Sequence, residues 1–213
     1  KLLFLGSACI YPRAVNQPIK EEYLLSGKLE PTNEPYAIAK IAGIKLCQSY
    51  YDQYGSNFIS IMPNNLYGPN DNFNLKSSHV LPALIRKFYE AKLNNKKIVE
   101  LWGSGKPKRE FLFVDDLADA CVMIMNNLDA KDIYEKKISH LNIGSGVEVS
   151  IIDLANLIKD IINVDTKLVF NTDMPDGMPR KLLDINRINK LGWKANTDLQ
   201  SGLKITYDWF KKN

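Results

Sequence analysis

The sequence predicts an α/β fold built on a parallel sheet, and three observations predict it. A short apolar run, Leu2 to Leu5, precedes a long helical pattern from Pro35 to Tyr54, and a second apolar run, Phe58 to Met62, comes directly after. Strand, helix and strand in that order demand a right-handed crossover, since a tight turn cannot join parallel strands. Residues 63–72 are then crowded with Pro, Asn, Gly and Asp, the composition of a loop at the carboxyl end of a strand, where such sheets bind ligands.

Each element has its own signal. Lys1-Leu-Leu-Phe-Leu5 begins without cap, turn or linker, as though already inside a buried strand. In the next helix Tyr36, Ala39, Ile44, Leu46, Tyr50 and Tyr51 approximate one face, with Asn33 or Thr32 as N-cap, Pro35 in the first turn and Gly55 at the end. A helix is expected from about Val80 to Leu93, a strand at Ile98 to Leu101, a Gly103-Ser-Gly105 turn and a strand at Phe111 to Val114. Asp115-Asp116 should cap a helix to about Leu128, and Leu141 to Ile143 reads as a strand before Gly144-Ser-Gly146. Ser150 with Asp153 resembles a capping box opening an amphipathic helix through Ile162, and a last helix is expected from about Leu199 to Phe210. No repeat, low-complexity tract or linker interrupts these elements.

Composition excludes several classes of protein. With 45% hydrophobic and 24% charged residues in 213, the chain is neither disordered nor fibrous, and its length supports a core without disulfide staples. Its apolar runs fall well short of the ~20 residues that span a bilayer. The net charge of +4 is too mild for a dedicated nucleic-acid binder. Between Arg86 and Arg109, however, eight basic residues face only Glu90 and Glu100, an excess suited to a small polyanion such as a nucleotide diphosphate. Cys9, Cys47 and Cys121 form neither a disulfide framework nor, with two histidines, a metal-knuckle spacing, so no metal and a reducing cytoplasm are expected.

Tyr36 and Lys40 lie four apart on a helix, one turn apart on one face, where an ammonium can stabilise a phenolate and make a general acid–base of it. As a bare pattern this is more often a packed tyrosine and a surface lysine. Its setting is specific: Gly6-Ser-Ala-Cys-Ile-Tyr-Pro12 succeeds a strand, and Asn-Glu-Pro-Tyr-Ala-Ile-Ala-Lys40 opens the next helix. Further stretches come in order: Asn65-Leu-Tyr-Gly-Pro69, Ser78-His-Val80, Trp102-Gly-Ser-Gly105, Arg109-Glu-Phe111 and Pro175-Asp-Gly-Met-Pro-Arg-Lys-Leu-Leu-Asp184. With these motifs the chain, from Leu2 almost to its end, resembles the extended short-chain dehydrogenase/reductases. Within them it is most similar to the branch that epimerises and reduces a GDP-4-keto-6-deoxyhexose.

The resemblance implies a Rossmann-like fold. Residues 1–66 and about 111–143 would be the carboxyl-terminal part of an NADP-binding domain, and about 67–110 and 144–213 a smaller substrate lobe. It implies NADPH-dependent conversion of GDP-4-keto-6-deoxy-D-mannose to GDP-L-fucose. Ser7 would hydrogen-bond the ketone, Tyr36 would protonate its oxygen, and Lys40 would assist Tyr36 and contact the nicotinamide ribose. Cys9 and His79 would trade protons with the two carbons flanking the ketone; an ordinary thiol (pKa about 8.5) and imidazole (about 6.5) bracket neutral pH. Alone, Cys9 reads as a small buried residue and His79 as a helix-capping one, while Cys47 and Cys121 remain structural. Pro63, Asn64, Asn65, Leu66 and His79 would join Tyr36 and Lys40 at the cofactor. Lys87, Trp102, Arg109 and Asp176 would hold the nucleotide sugar, cations on diphosphate and indole on a ring. The superfamily's dimer surface would fall on the Tyr36–Tyr54 and Val80–Leu93 helices, giving a homodimer without nucleic-acid or membrane partners.

Two departures stand against the pattern. Ala8 occupies a position where the family often has a second serine, and the family's opening strand, Gly-x-x-Gly-x-x-Gly turn and helix have no counterpart in this sequence. The sequence is therefore expected to represent the carboxyl-terminal two-thirds of a family chain, to expose an apolar edge at Leu2 to Leu5, and by itself to bind NADPH weakly and turn over little. Two other readings compete: a related nucleotide-sugar epimerase or dehydratase, and a non-catalytic assembly module. The contexts of Cys9 and His79 weigh against the first, and retention of all five chemical residues against the second.

Overall fold

The computed structural model describes residues 1–174 and 176–213; Pro175, which opens one of the motifs above, lies outside them. In chain order the elements are β1 (Leu2–Leu5), α1 (Glu34–Tyr54), β2 (Phe58–Pro63), β3 (Asn65–Tyr67), α2 (Val80–Leu93), β4 (Ile98–Trp102), β5 (Lys108–Phe113) and α3 (Val114–Asn127). Then come α4 (Ala130–Tyr134), β6 (Leu141–Ile143), β7 (Glu148–Ser150), α5 (Ile151–Ile162), β8 (Lys167–Asn171), β9 (Arg180–Lys181), α6 (Asn186–Lys190) and α7 (Leu199–Phe210). The chain divides into two compact units.

The first unit comprises Lys1–Leu66, Glu110–Val147 and Lys181–Asn196. The expected parallel sheet is present in the order β1-β2-β6, with Leu2 opposite Phe58 through Leu5 opposite Ile61, and Ile61 opposite Leu141. Helix α1 makes the crossover between β1 and β2. Gly55, with φ of 64°, closes it in the left-handed conformation, while Asn33 takes the N-cap position without a side-chain cap bond. Alternation along β2 feeds two cores. Ile59 and Ile61 pack with Leu112, Leu117, Ile124 and Leu141 on one side, and Met62 packs with Ile10, Ile19, Ile41 and Ile44 on the other. A strand buried on both faces explains why Phe58 to Met62 reads as a continuous apolar run.

Residues 181–196, which the sequence places with the second lobe, pack in the first unit: Leu183 joins one core, and Ile188 and Trp193 join the other. Short α4 and α6 carry too few residues for a visible period, and β5 starts at Lys108 rather than Phe111 because its first three residues, Lys108, Arg109 and Glu110, are all charged and give no apolar signal. Asp115 and Asp116 sit inside the first turn of α3 rather than capping it, where carboxylates still suit the helix dipole.

The second unit comprises Tyr67–Arg109, Glu148–Arg180 and Thr197–Asn213. Strands β4 and β8 pair in parallel, Ile98 opposite Lys167 through Trp102 opposite Asn171. Its core is helical: Leu81, Ile85 and Phe88 of α2, Leu154 and Ile158 of α5, and Leu203 and Tyr207 of α7 are buried, with α5 packed on both other helices. The side chain of Ser150 accepts the Asp153 N–H at 3.1 Å, the capping expected at the start of α5. Among the described residues no helix is long and apolar enough to cross a membrane.

Candidate active site

In the first unit the site begins where β1 ends. Gly6 has no room for a side chain, since a Cβ would meet the Met62 sulfur at 2.2 Å, so the chain passes close to β2 and turns at once. Ser7 caps the single helical turn Ala8–Ile10, its hydroxyl accepting the Cys9 N–H at 3.3 Å. Ile10 is fully buried, and Tyr11 shares its hydroxyl with His140 Nε2 at 2.6 Å and with the Asn142 side chain. Anchored at both ends, the turn presents Ser7 and Cys9 half-buried.

Helix α1 lies close over β1 because Gly43 faces the Phe4 ring, where a Cβ would meet Cζ at 2.2 Å. One turn earlier, Lys40 donates from Nζ to the Leu5 carbonyl at 2.8 Å, with the same ammonium 5.3 Å from the Phe4 ring centre and 5.7 Å from that of Tyr36. Tyr36 is about half exposed, at 49%. The structure thus brings Tyr36 and Lys40 together at the carboxyl end of β1, the strand that leads into Ser7 and Cys9.

The loop after β2 is held from within. Asn64 is buried, with its amide donating to Glu110, and Asn65 donates to the Glu110 carbonyl at 2.8 Å and to the Asn64 side chain at 3.2 Å. Pro63 ends β2 opposite Ile143, and Leu66 packs against the core. Glu110 is fully buried and accepts the N–H groups of Leu183 at 2.9 Å and Gly146 at 2.7 Å; burial raises its pKa, and these donors oppose the rise. The sequence shows Glu110 only as part of a motif. Its organising role had no signal, because the four partners that reveal it are scattered between residues 64 and 183.

In the second unit His79 occupies the N-cap position of α2, as its sequence context alone suggests, but its side chain makes no capping bond and is exposed. Lys87 and Trp102 meet: the ammonium lies 5.8 Å from the indole and donates to the Glu100 carbonyl at 3.0 Å. Burial pulls the Lys87 pKa down, with Glu100 opposing. Trp102 is 62% exposed, an unusual place for an indole unless a ring covers it. Asp176 accepts the Ser104 N–H at 2.6 Å and the Ser104 hydroxyl at 2.7 Å, bonds that hold its carboxyl below the ordinary range, aided by Lys106 and Arg109. Arg109 is lowered by burial and raised by Asp176. An indole, an ammonium, a guanidinium and an anchored carboxylate therefore gather in this unit.

The model of the family described as NAD dependent epimerase/dehydratase matches residues 1–144. The chain belongs to that family. It is 55% identical to GDP-L-fucose synthase 1 of Arabidopsis thaliana, with all of this chain aligned to 64% of that protein. It is 52% identical to the GDP-L-fucose synthase of Escherichia coli K12, again over its whole length and 67% of the relative. Among solved structures, a GDP-D-glycero-L-gluco-heptose synthase from Campylobacter jejuni, in the presence of NADPH, superposes with a TM-score of 0.93 at 42% identity, over 99% of this chain and 70% of that one. The chain thus spans just under two thirds of the length of the Arabidopsis relative.

Proposed function

We propose that the natural protein carrying this sequence converts GDP-4-keto-6-deoxy-D-mannose to GDP-L-fucose with NADPH, a reading supported by relatives 55% and 52% identical that are named GDP-L-fucose synthases. One observation carries the reading: Tyr36 and Lys40 are assembled over the end of β1, and the turn just beyond carries both a hydroxyl, Ser7, and a thiol, Cys9. Ketone reduction requires the hydroxyl, phenol and ammonium; a thiol on the same turn fits the additional inversion of carbon centres.

The residues fit the cofactor. Lys40 spends one of its three N–H donors on Leu5, leaving others for a ribose hydroxyl beside the exposed phenol of Tyr36. Because the side chains of Asn64 and Asn65 are committed to Glu110, the loop Pro63 to Leu66 would meet the nicotinamide half through its backbone. When bound, NADPH supplies the hydride for C4 of the sugar. Ser7 donates a hydrogen bond to the ketone oxygen and thereby acidifies the hydrogens on both flanking carbons. Cys9 and His79 then remove and return protons at those carbons, and Tyr36 delivers the final proton to the oxygen with Lys40 holding the charge. Lys87 and Arg109 take the diphosphate, Trp102 packs on a ring, and Asp176 accepts hydroxyls.

We place this protein in the cytoplasm, a reading supported by three cysteines free of disulfides, and as a homodimer, supported by exposed apolar residues along α1. The test is the purified natural protein with NADPH and GDP-4-keto-6-deoxy-D-mannose, products being separated and identified by NMR. GDP-L-fucose is expected. A reduced sugar with neither centre inverted, or turnover confined to a GDP-heptose substrate, would overturn the reading.

A further inference from the structure

The ammonium of Lys181 lies 3.6 Å from the sulfur of Cys9, aimed to donate to it. Neither residue arrives there by chance of a long flexible chain. Cys9 is fixed in the turn that Ser7 caps and Ile10 buries. Lys181 is the last residue of β9, and the next three residues are each tied down: the Leu182 N–H donates to the Gln17 side chain at 2.9 Å, Leu183 pairs with Ile19 and donates to Glu110 at 2.9 Å, and Asp184 donates to the Ile19 carbonyl at 2.8 Å. The Lys181 backbone is thereby held beside the turn, and its side chain, half-buried, reaches the thiol.

We propose that Lys181 is a positioning residue for Cys9, orienting its sulfur and holding the negative charge that sulfur carries during proton transfer with carbon. The inference rests on the activity proposed above. When the Cys9 thiol gives its proton to a carbanionic ring carbon, a C–H bond forms, the S–H bond breaks, and the electron pair stays on sulfur. In the reverse step the thiolate takes a proton from carbon, and that C–H pair passes into the enolate. In either direction the charged sulfur faces the Lys181 ammonium, and a charge-assisted hydrogen bond stabilises it where water would otherwise have to reach.

Alkylation of Cys9 by iodoacetamide reads the pair without reference to turnover, with the modified peptide quantified by mass spectrometry in the natural protein. Lys181→Met is expected to slow modification of Cys9 about tenfold at neutral pH, and Lys181→Arg to restore most of the rate. With substrate, Lys181→Met should lose solvent deuterium incorporation at the epimerised carbons while ketone reduction falls much less. An unchanged alkylation rate in Lys181→Met, or a loss that Lys181→Arg leaves unrestored, overturns the assignment. If alkylation responds as expected but the protein makes no GDP-L-fucose, the Lys181–Cys9 pair stands and the proposed activity falls. If GDP-L-fucose forms and alkylation does not respond, the pair falls alone.

Discussion

The carboxylate of Glu110 accepts the backbone N–H of Leu183 at 2.9 Å, and so fastens the segment after Lys181 to the strand that carries Glu110. The same side chain accepts Gly146 N–H and the Asn64 amide, so three donors converge on one fully buried acid. Gly144 has to be glycine, since a Cβ there would meet the Glu110 carboxylate at 2.2 Å.

Glu110→Gln turns an amide NH2 toward at least one of these donors and leaves it unpaired. A buried unsatisfied donor costs about 1–3 kcal/mol, and the thermal midpoint should fall by several degrees with it. An unchanged midpoint by calorimetry would mean that the donors find other acceptors.

His140 makes stability depend on pH in a defined direction. It is fully buried between the Tyr11 hydroxyl and the Ser139 hydroxyl at 2.8 Å; burial, with Lys45 and Arg187 adding, pushes its pKa down to about 3. The unfolded chain takes up a proton below about 6.5, whereas the folded one keeps the ring neutral. Stability present above pH 6.5 is therefore lost as pH falls toward 3, at about 1.4 kcal/mol per unit from this group. His140→Gln should be less stable at neutral pH but show a flatter decline between pH 6.5 and 4 in urea titrations. Parallel declines in the two proteins would exclude His140 as the titrating group.

The phenol of Tyr36 should matter to the rate of reduction more than to binding. Tyr36→Phe in the natural protein is expected to lower kcat by about 100-fold or more with KM little changed, and Lys40→Met to behave alike, since general acid catalysis contributes factors of that order. A variant that loses KM instead would make Tyr36 a binding residue.

The strand–helix–strand order was legible because two short apolar runs flank a long segment that Gly55 ends, and α7 was readable to the residue. The face of α1 was not: Ala37, Ile41, Ile44 and Cys47 are buried, while Tyr36, Ala39, Leu46 and Tyr50, which the sequence grouped as one apolar face with the buried Ile44, are exposed. Strand β8 was not legible, because Lys167, Val169 and the half-exposed Phe170 give its five residues no sharp alternation. At the site, Tyr36 with Lys40 and Ser7 with Cys9 are close in sequence and could be seen there. Lys181 and Glu110 could not, since their partners lie from 36 to 172 positions away and only the fold brings them into contact. Lys181 even stands inside one of the family's motifs, but a lysine in a polar stretch has no sequence mark for the sulfur it meets.

The proposed homodimer makes a separate prediction. Along α1, Leu46, Tyr50 and Tyr54 are exposed and spaced four residues apart, an apolar stripe on a helix whose other side, with Ala37, Ile41, Ile44 and Cys47, is already packed. Leu46→Glu should convert a dimer into a monomer in sedimentation equilibrium, because an interface excludes an unpaired carboxylate at its centre. If the wild-type protein sediments as a monomer, α1 is not the surface proposed.

The last prediction concerns how Asp176 is held. Gly103 has a φ of 75°, and a Cβ on it would meet the Asp176 carboxylate oxygen at 2.2 Å, so the turn can bring Ser104 onto that carboxylate only while residue 103 has no side chain. Gly103→Ala imposes a left-handed conformation on alanine, worth about 1 kcal/mol, and pushes Asp176 off the Ser104 N–H. If Asp176 accepts hydroxyls of the GDP-sugar, KM for that substrate should rise about tenfold while kcat and the affinity for NADPH change little. A loss shared equally by NADPH binding would instead indicate that the substitution disturbs the fold, and an unchanged KM would remove Asp176 from the substrate's contacts. Ser104→Ala separates strain from clamping: it deletes the hydroxyl bond to Asp176 and the one that hydroxyl accepts from the Lys106 N–H, leaves the turn glycine and the Ser104 N–H bond in place, and should give a smaller rise of the same kind.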